Sequence, residues 1–222
     1  MTLVPDVSGF TESRSRTLRA RTSDAVFRIS KRAFDLVFST IVLLPAMVVV
    51  GLALLILNPI FNPGPLFFRQ IRMGRNCRPF WAYKFRTMRQ AAPGTARCRP
   101  LNAPLEVDRI TKIGGFLRRS RFDELPQILN VYRGEMSLIG PRPDYFIHAH
   151  RYIRAIPEYR ARHAVRPGIS GLAQIEVGYA QGLEATRLKT AADMDYIRSA
   201  GLRLDTWILW QTIRAVIDMR GE

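Results

Sequence analysis

One uncharged stretch limits what this chain can fold into more than any other feature. No residue between Asp35 and Arg69 carries a charge, and the 22 residues of 36–57 are apolar apart from two hydroxyl residues, a proline and a glycine. A straight helix of that length is ~33 Å long, just enough to cross a bilayer core. The run begins well inside the chain and lacks a small-residue cleavage pattern, so a secretory signal peptide fits poorly. A membrane helix is favoured, with a buried helix of a soluble protein as the alternative.

The basic residues on either side of this run indicate how it meets the membrane. Seven arginines and lysines lie in 14–32 and seven more in 69–89. Because basic flanks prefer the cytoplasmic side, both ends favour the same side. Pro45 lies mid-run, where it removes a backbone hydrogen bond and bends a helix. We therefore predict a re-entrant helix, kinked at Pro45, that enters one leaflet and returns. A spanning helix with an ordinary kink is the alternative.

Charge and composition narrow the classes of partner. The net charge is +16, which indicates an anionic partner: nucleic acid, an anionic membrane surface or a phosphorylated substrate. Apolar residues make up 47% of the chain, which excludes wholesale disorder. Two cysteines cannot form a disulfide framework or a zinc site alone. The three histidines, His148, His150 and His163, are candidate metal ligands, but solvated surface positions are the favoured interpretation.

The pattern along the chain predicts an α+β fold, mostly helical with a β-hairpin and amphipathic interfacial helices. A flexible basic tail over 1–27 is predicted to precede the re-entrant membrane helix over 28–60, and a domain on the cytoplasmic side is predicted over 61–222. Two β-prone segments, 66–71 and 80–85, are predicted to pair as the hairpin.

Helical spacing predicts the remaining elements. The predicted helices are 110–117, continuing through 125–132, then 144–162, 184–200 and 203–219, and 90–105 is predicted to be a loop. The last helix carries Trp207 and Trp210 on one side, which suits either a membrane interface or core packing.

The pair Asp123–Glu124 is the first candidate for chemistry. It lies among several arginines, and two adjacent carboxylates are costly to bury without counter-charge. Carboxylates of this kind hold Mg²⁺ together with substrate phosphates, and a carboxylate can also attack phosphorus as a nucleophile. A helix-dipole role at the start of a helix is the alternative.

Two proline-flanked arginines are further candidates for anion binding. Residues 140–143 read Gly-Pro-Arg-Pro and residues 166–171 read Arg-Pro-Gly-Ile-Ser-Gly. A rigid backbone next to an arginine presents its guanidinium to an anion, although a plain turn explains each segment equally well. The chain has no Gly-x-Gly-x-x-Gly or Walker A loop, so a nucleotide has to be held in another way.

Six motifs in order give the chain a specific resemblance. They are KRAFD (31–35), YKFRTM (83–88), DELPQ (123–127), GEMS (134–137), GPRP (140–143) and RPGISG (166–171), with a proline-containing apolar run after the first. In this order they resemble the bacterial sugar transferases, the small monotopic phosphoglycosyl transferases that initiate assembly of exopolysaccharides and other glycoconjugates. The resemblance covers about residues 30 to 219.

The resemblance implies a reaction and a place in the cell. A sugar-1-phosphate moves from a nucleoside diphosphate sugar, with a UDP-sugar as the expected donor, to polyprenol (undecaprenyl) phosphate, and UMP is released. It implies a re-entrant helix in the bacterial inner membrane, with the catalytic domain on the cytoplasmic face. The partners are these two substrates and the lipid bilayer, not nucleic acid, and a homo-oligomer is compatible with the resemblance.

The resemblance also implies roles for individual residues. Asp123 is the covalent nucleophile, and Glu124 beside it, together with Asp123, holds Mg²⁺. The phosphate-binding cations correspond to Lys84 or Arg86 and to Arg142. Arg118 matches a family arginine of less defined role. The turn formed by Arg166, Pro167 and Gly168 is expected near the nucleotide.

Departures from the family pattern affect the donor more than the catalytic pair. Arg121–Phe122 replaces Ser-Leu, Leu44 replaces a frequent serine before Pro45, and Leu172 replaces tryptophan. Residues 175–177 replace an Asn-Gly-Arg region where the sugar is expected to be read. The competing functions are a membrane-tethered basic nucleic-acid-binding protein, whose binding weakens steeply with salt, and a membrane scaffold without chemistry.

Overall fold

The computed structural model describes residues 25–90, 106–178 and 182–219. The elements are, in chain order, α1 (Ala25–Phe38), a π-helical segment (Ser39–Leu43), α2 (Leu44–Phe61), β1 (Phe67–Met73), β2 (Pro79–Phe85), α3 (Lys112–Arg119), α4 (Ile128–Tyr132), β3 (Ser137–Ile139), α5 (Phe146–Ala155), β4 (Gly168–Ser170), α6 (Leu172–Glu176), α7 (Leu183–Ser199) and α8 (Leu202–Ile217). Short 3-10 helices lie at Arg75–Cys77, Val107–Arg109, Phe122–Gln127 and Tyr159–Ala164. The described chain is therefore mostly helical with small sheets, as predicted.

The apolar run lies in one long helix. Helix α1, the π-helical segment and α2 join without a break over Ala25–Phe61, 37 residues that are long and apolar enough to cross a membrane. Wider π-helical hydrogen bonding just before Pro45 accommodates a residue that has no N–H to donate. The Thr40 hydroxyl donates to the carbonyl of Leu36 at 2.8 Å in the same segment. The re-entrant path and the kink stay predictions.

Both ends of this helix are held by the same domain. Near the start, Lys31 pairs with Asp205 at 2.6 Å, and Asp35 accepts hydrogen bonds from the Ser137 hydroxyl (2.8 Å) and the Leu138 amide (3.1 Å). At the far end, the Asn62 amide donates to the carbonyl of Arg86 at 3.0 Å. The polar residues of the first motif therefore anchor the helix to the domain.

The predicted hairpin is confirmed. Strands β1 and β2 pair antiparallel, from Phe67 opposite Phe85 to Met73 opposite Pro79. The connection contains two residues with left-handed backbone, Asn76 (φ 56) and Cys77 (φ 59), which turn the chain tightly.

The later helices agree with the prediction except at one point. Helices α7 and α8 match the predicted 184–200 and 203–219. The predicted helix 144–162 is confirmed over Phe146–Ala155 and is wrong beyond it: α5 ends at Ala155, and a 3-10 helix follows at Tyr159–Ala164. Pro157 explains the break, since it disfavours helical backbone in the preceding residue, and Ile156 is extended (φ −127, ψ 111). Helix α1 begins at Ala25, so the last three residues of the predicted tail 1–27 are helical. The rest of that tail, 1–24, and most of the predicted loop, 91–105, lie outside the described residues.

A parallel pair of strands was not predicted. Strands β3 and β4 pair through Ser137–Gly168 and Ile139–Ser170. Gly140 and Gly168 pack backbone against backbone, and a Cβ on Gly168 would lie 2.1 Å from the Gly140 nitrogen. The two motifs with proline-flanked arginines, for which anion binding and a plain turn were both predicted, are thus one interlocked structure that needs glycine for close approach.

Helix α8 presents its tryptophans outward. Trp207 and Trp210 are 42% and 58% exposed, whereas Ile208 on the opposite side is fully buried. Core packing therefore does not account for the paired tryptophans, and the interfacial role stays a prediction.

Candidate active site

Three separate elements bring the site together. Asp123 and Glu124 lie in the 3-10 helix Phe122–Gln127, which starts after a left-handed Arg121 (φ 57). Strand β2 supplies Lys84, and the loop after β3 supplies Arg142. We call Lys84, Asp123, Glu124 and Arg142 the Asp–Glu cluster.

Asn130 fixes strand β2 next to this cluster. Its side-chain amide donates to the Trp81 carbonyl at 2.7 Å and its oxygen accepts from the Tyr83 amide at 3.2 Å. The Asn130 side-chain nitrogen also donates to the Glu135 carboxylate at 2.7 Å, which gives the acidic residue of the fourth motif a structural role. Since Asn130 is fully buried, these bonds hold the end of β2 in place and with it Lys84.

Glu124 is tightly paired with two cations. Arg142 donates from both terminal nitrogens, Nη1 to Oε2 at 3.0 Å and Nη2 to Oε1 at 2.5 Å, and Lys84 Nζ lies 2.6 Å from Oε1. Burial alone would raise the pKa of Glu124, but Arg142 and Lys84 outweigh it and hold the pKa well below its ordinary value. Glu124 is therefore a carboxylate that orients both cations.

Asp123 is held more loosely. Among the described residues, Asp123 forms an ion pair with Lys84, Nζ to Oδ2 at 3.4 Å. Burial and the neighbouring Glu124 charge raise the pKa of Asp123, while Lys84, Arg142 and Arg118 lower it, and the net direction is upward. A buried carboxylate with weak pairing retains lone pairs for another reaction partner, which is the condition that a nucleophile needs.

The structure places two of the predicted cations, Arg118 and Arg86, in different surroundings. The positive charge of Arg118 lowers the pKa of Asp123. Arg86 is buried and turned towards the end of the membrane helix: it donates to Asn62 Oδ1 at 2.9 Å, to the Pro65 carbonyl at 2.7 Å, and to the carbonyl of Asn62. Of the predicted alternatives Lys84 or Arg86, the geometry thus favours Lys84.

The turn that carries the second proline-flanked arginine, Arg166, is hydrogen-bonded to the segment that leads to Arg142. Arg166 Nε donates to the Gly134 carbonyl at 2.9 Å, the Pro167 carbonyl accepts from the Ser137 amide at 2.9 Å, and the Gly168 amide donates to the Pro141 carbonyl at 3.0 Å. The described contacts of this turn hold the loop that carries Arg142, and its predicted nucleotide role stays a prediction.

Sequence reasoning missed a second group of ionised residues behind Arg142. Arg162 is buried, pairs with Asp144 at 2.5 Å and Asp193 at 2.6 Å, and donates to the Arg142 carbonyl at 2.8 Å. The Tyr159 hydroxyl donates to Asp144 at 2.6 Å. We call Asp144, Tyr159, Arg162 and Asp193 the Arg162 cluster. Asp193 is 49 positions from Asp144, so local spacing offers no signal for it.

The histidines do not form a metal site in the part of the chain that is described, where no group of three metal-ligating side chains occurs. His163 is buried, and burial with the nearby Arg162 charge lowers its pKa to about 4. His148 and His150 pack edge-on against Tyr145 and Phe146.

Within the carboxylate pair, Asp123 fits the protein's share of a magnesium site better than Glu124 does. Mg²⁺ takes one or two carboxylates and fills its other positions with phosphate oxygens and water. Asp123 retains coordinating capacity because its pairing with Lys84 is long, whereas both oxygens of Glu124 already accept from cations.

The fold and the site together define a class of protein. A helix of membrane length is anchored to a domain, and that domain carries a cationic site suited to a phosphorylated ligand. The profile described as bacterial sugar transferase matches residues 26–219. Because this match covers most of the chain, the protein belongs to the bacterial sugar transferase family.

Individual relatives support the same assignment. The chain is 38% identical to the UDP-N-acetylgalactosamine-undecaprenyl-phosphate N-acetylgalactosaminephosphotransferase of Aeromonas hydrophila, over 88% of this chain and 45% of that protein. It is 40% identical to the UDP-glucose:undecaprenyl-phosphate glucose-1-phosphate transferase of Caulobacter vibrioides, over 85% of this chain and 67% of that protein. It is 38% identical to the exopolysaccharide production protein PSS of Rhizobium leguminosarum, over 83% and 94% respectively. The chain thus spans about half the length of the Aeromonas relative and nearly all of the Rhizobium relative.

Proposed function

We propose that this protein is a phosphoglycosyl transferase that moves a sugar-1-phosphate from a UDP-sugar to undecaprenyl phosphate and so initiates exopolysaccharide or glycoconjugate assembly. The observation that carries the proposal is the unequal pairing of two adjacent buried carboxylates, Glu124 tightly paired and Asp123 loosely paired. The relatives' names supply the substrate classes, and they differ in the sugar. The proposal therefore specifies a class of donor and leaves the sugar open.

The chemistry proceeds in two half-reactions. In the first, an Asp123 carboxylate oxygen attacks the phosphorus that bears the sugar, an O–P bond forms, and the bond to the bridging oxygen breaks as UMP leaves with the electron pair. In the second, a phosphate oxygen of undecaprenyl phosphate attacks the same phosphorus and displaces the Asp123 carboxylate. The products are UMP and an undecaprenyl diphosphate sugar, and the enzyme returns to its starting state.

The cations of the cluster stabilise charge as it develops. The planar guanidinium of Arg142 matches phosphate oxygens in geometry as well as charge, and a bound phosphate would share it with Glu124, to which both terminal nitrogens donate. Lys84 adds a point charge next to Asp123. Bound Mg²⁺, held by Asp123 and Glu124, would neutralise part of the diphosphate charge. Preorganised cations act on the transition state without reorganisation, which is where most rate enhancement arises.

Direct detection of the covalent intermediate tests this proposal. Wild-type protein given a panel of UDP-sugars without acceptor is expected to release a stoichiometric burst of UMP and to gain the mass of one sugar phosphate on Asp123. Asp108→Asn changes an exposed acid on the same chain and serves as the control, with an unchanged burst. If acceptor-free enzyme never gains the mass while turnover with both substrates is normal, transfer is direct and Asp123 is at most a base or metal ligand.

We further propose that the helix is re-entrant in the inner membrane and that the catalytic domain faces the cytoplasm. Lys31 and Asn62 both contact the same domain, although a straight helix would place them ~46 Å apart. A bilayer-spanning helix would separate these contacts across the membrane.

Thiol labelling in intact cells tests this topology. Single cysteines at Ser30 and Asn76, in a background lacking Cys77 and Cys98, are both expected to resist an impermeant reagent. Labelling of one cysteine and protection of the other would establish a spanning helix.

A further inference from the structure

The backbone around Arg142 is held at every residue from 141 to 144. Each of the four carbonyls of this segment accepts a hydrogen bond from another part of the domain. In the order of the carbonyls, the donors are the Gly168 amide (3.0 Å), Arg162 Nη2 (2.8 Å), Arg72 Nη1 (2.9 Å) and the Met73 amide (3.0 Å). The prolines on both sides of Arg142 also have a locked φ angle, so the segment has little freedom to move.

Strand β1 supplies two of these four donors from its last two residues. The Met73 amide bonds the Asp144 carbonyl through the backbone, and Arg72 pairs with Tyr145 in an antiparallel bridge. The Arg72 side chain adds a bond to the Pro143 carbonyl, directly after Arg142. The end of β1 therefore runs beside the segment, and Arg72 extends this contact towards Arg142.

The same face of the hairpin carries Lys84. In the antiparallel register Arg72 lies opposite Phe80, and Phe68 lies opposite Lys84. Side chains two or four residues apart in a strand point to one face, so Arg72, Phe80 and Lys84 share a face. Phe80 is buried in the domain core, which holds this face in place. One hairpin thus positions one cation of the Asp–Glu cluster directly and the other, Arg142, through Arg72.

The relative position of these two cations decides how a phosphate is held. Both terminal nitrogens of Arg142 donate to Glu124, and Lys84 donates to the same carboxylate. A guanidinium binds two oxygens well only when its plane is aligned with them. Because a misplacement of ~1 Å can cost about 10²-fold in rate, the backbone that carries such a group has to be fixed.

We propose that Arg72 is a positioning residue for Arg142, and that its bond to the Pro143 carbonyl sets the Arg142 guanidinium relative to Lys84 so that both cations meet the same donor phosphate. This inference rests on the proposed function and concerns the first half-reaction. In this role Arg72 acts through Arg142 and not on the substrate. Its charge also lowers the pKa of Asp144, which is a separate, structural contribution.

A double-mutant cycle between Arg72 and Arg142 tests the proposal. Arg72→Met removes the donor and keeps an apolar stem, Arg142→Lys removes the planar fork, and a third protein carries both changes. Arg69→Met is the matched control, because Arg69 is an exposed arginine on the same strand and lies over the Trp81 ring at 4.8 Å. The acceptor-free UMP burst is measured per folded molecule, as the rate at saturating UDP-sugar and as the half-saturating UDP-sugar concentration.

The expected result is a loss of rate that depends on Arg142. Arg72→Met should lower the saturated burst rate roughly tenfold, because the phosphate is still bound but poorly aligned, and should change the half-saturating concentration less. In the Arg142→Lys background the same change should cost roughly twofold or less, since residues of one network couple non-additively. Arg72→Lys retains a charged donor for the carbonyl and should recover part of the rate, and Arg69→Met should match the wild type.

Two results would overturn the proposal alone. Losses that add in the cycle would show a general structural role, and so would an unchanged burst rate in folded Arg72→Met. If Arg72→Met does not fold, Arg72→Gln, with a shorter uncharged side chain, takes its place in the cycle under the same criteria. A wild-type protein without any burst would overturn the proposed function and this inference with it.

Discussion

Two largely buried clusters of charge meet at Arg142, and their charges are balanced in opposite ways. The Arg162 cluster sets two carboxylates around one fully buried guanidinium, and the Tyr159 hydroxyl also donates to Asp144. The Asp–Glu cluster sets two carboxylates beside two cations, Lys84 and Arg142, while the charge of Arg118 also acts on Asp123, and Asp123 stays loosely paired. The Arg162 cluster has more carboxylates than cations. The Asp–Glu cluster together with Arg118 has more cations than carboxylates.

The pKa directions express the same difference. Burial opposes ionisation of Asp144, but Arg162 and the Tyr159 hydrogen bond prevail and lower its pKa. For Asp123 the balance is reversed, and burial with the Glu124 charge raises the pKa. A carboxylate whose charged form the fold stabilises is structural, whereas one whose charged form the fold tolerates at a cost is a candidate for chemistry. Asp193 shows the limit of this rule, because burial raises its pKa to about 6 although it faces Arg162.

The largest expected effect separates the two clusters through their aspartates. Asp123→Asn should abolish the UMP burst, by roughly 10⁴-fold or more as for other nucleophiles, because an amide cannot form the mixed anhydride. Its melting temperature should be unchanged or higher, since an unfavourable buried charge is removed. Asp144→Asn should show the reverse, a lower melting temperature with a burst retained per folded molecule. If Asp123→Asn is folded and keeps its burst, Asp123 is not the nucleophile, and the two clusters do not differ in function.

The next effect concerns stability. Arg162→Met removes the counter-charge that Asp144 and Asp193 share and leaves Asp193 buried without it, and breaking a buried pair such as Arg162–Asp193 costs ~3–5 kcal/mol. Chemical denaturation should report this loss in the free energy of unfolding. Arg151→Met, an exposed arginine on α5, is the control and should change stability little. A loss of activity in Arg162→Met at full stability would instead place Arg162 in the catalytic chemistry.

The difference between the clusters also shows what a sequence reveals. Asp123, Glu124, Lys84 and Arg142 lie in short motifs whose chemistry and order are visible along the chain, so their grouping was predictable. The Arg162 cluster depends on contacts between the loop that precedes α5, which carries Asp144, the 3-10 helix Tyr159–Ala164 and α7, and no local period encodes these contacts.

The same reasoning accounts for the fold. The long apolar helix and the hairpin follow from hydrophobic periodicity and β-propensity, whereas strands β3 and β4 are three residues each, too short to register as a pattern. Sequence alone does not separate Lys84 from Arg86, because both are cations of one short motif, and only the contact with the buried Asn62 shows where Arg86 is engaged.

A third prediction concerns the geometry of the cation that the two clusters share. Arg142 uses both terminal nitrogens on Glu124, and its backbone carbonyl is held by Arg162. Lysine retains the charge but not the planar pair of donors, so Arg142→Lys should lose ~1–3 kcal/mol of transition-state stabilisation. Steady-state kcat/KM measures the loss, with Arg203→Lys on exposed α8 as the control. Near-normal turnover would reduce Arg142 to a turn residue.

The smallest expected effect is on the pH dependence of the burst rate, which variants of Lys84 and Glu124 should shift in opposite directions. Asp123 must be ionised to attack, and its folded pKa lies above the ordinary 3.8, so the burst rate should fall as pH falls through that raised pKa. Removing the Lys84 charge in Lys84→Met raises the pKa of Asp123 further and moves the acid limb to higher pH. Removing the Glu124 charge in Glu124→Gln lowers it and moves the limb to lower pH, and excess Mg²⁺ should restore part of the rate lost through weaker metal binding. Burst rates measured across the acid range give the three profiles, and Glu184→Gln, which changes an exposed acid on α7, should match the wild type. Acid limbs that coincide in all three proteins would show that the titrating group is not Asp123, and the loosely paired carboxylate would then lose its claim to be the nucleophile.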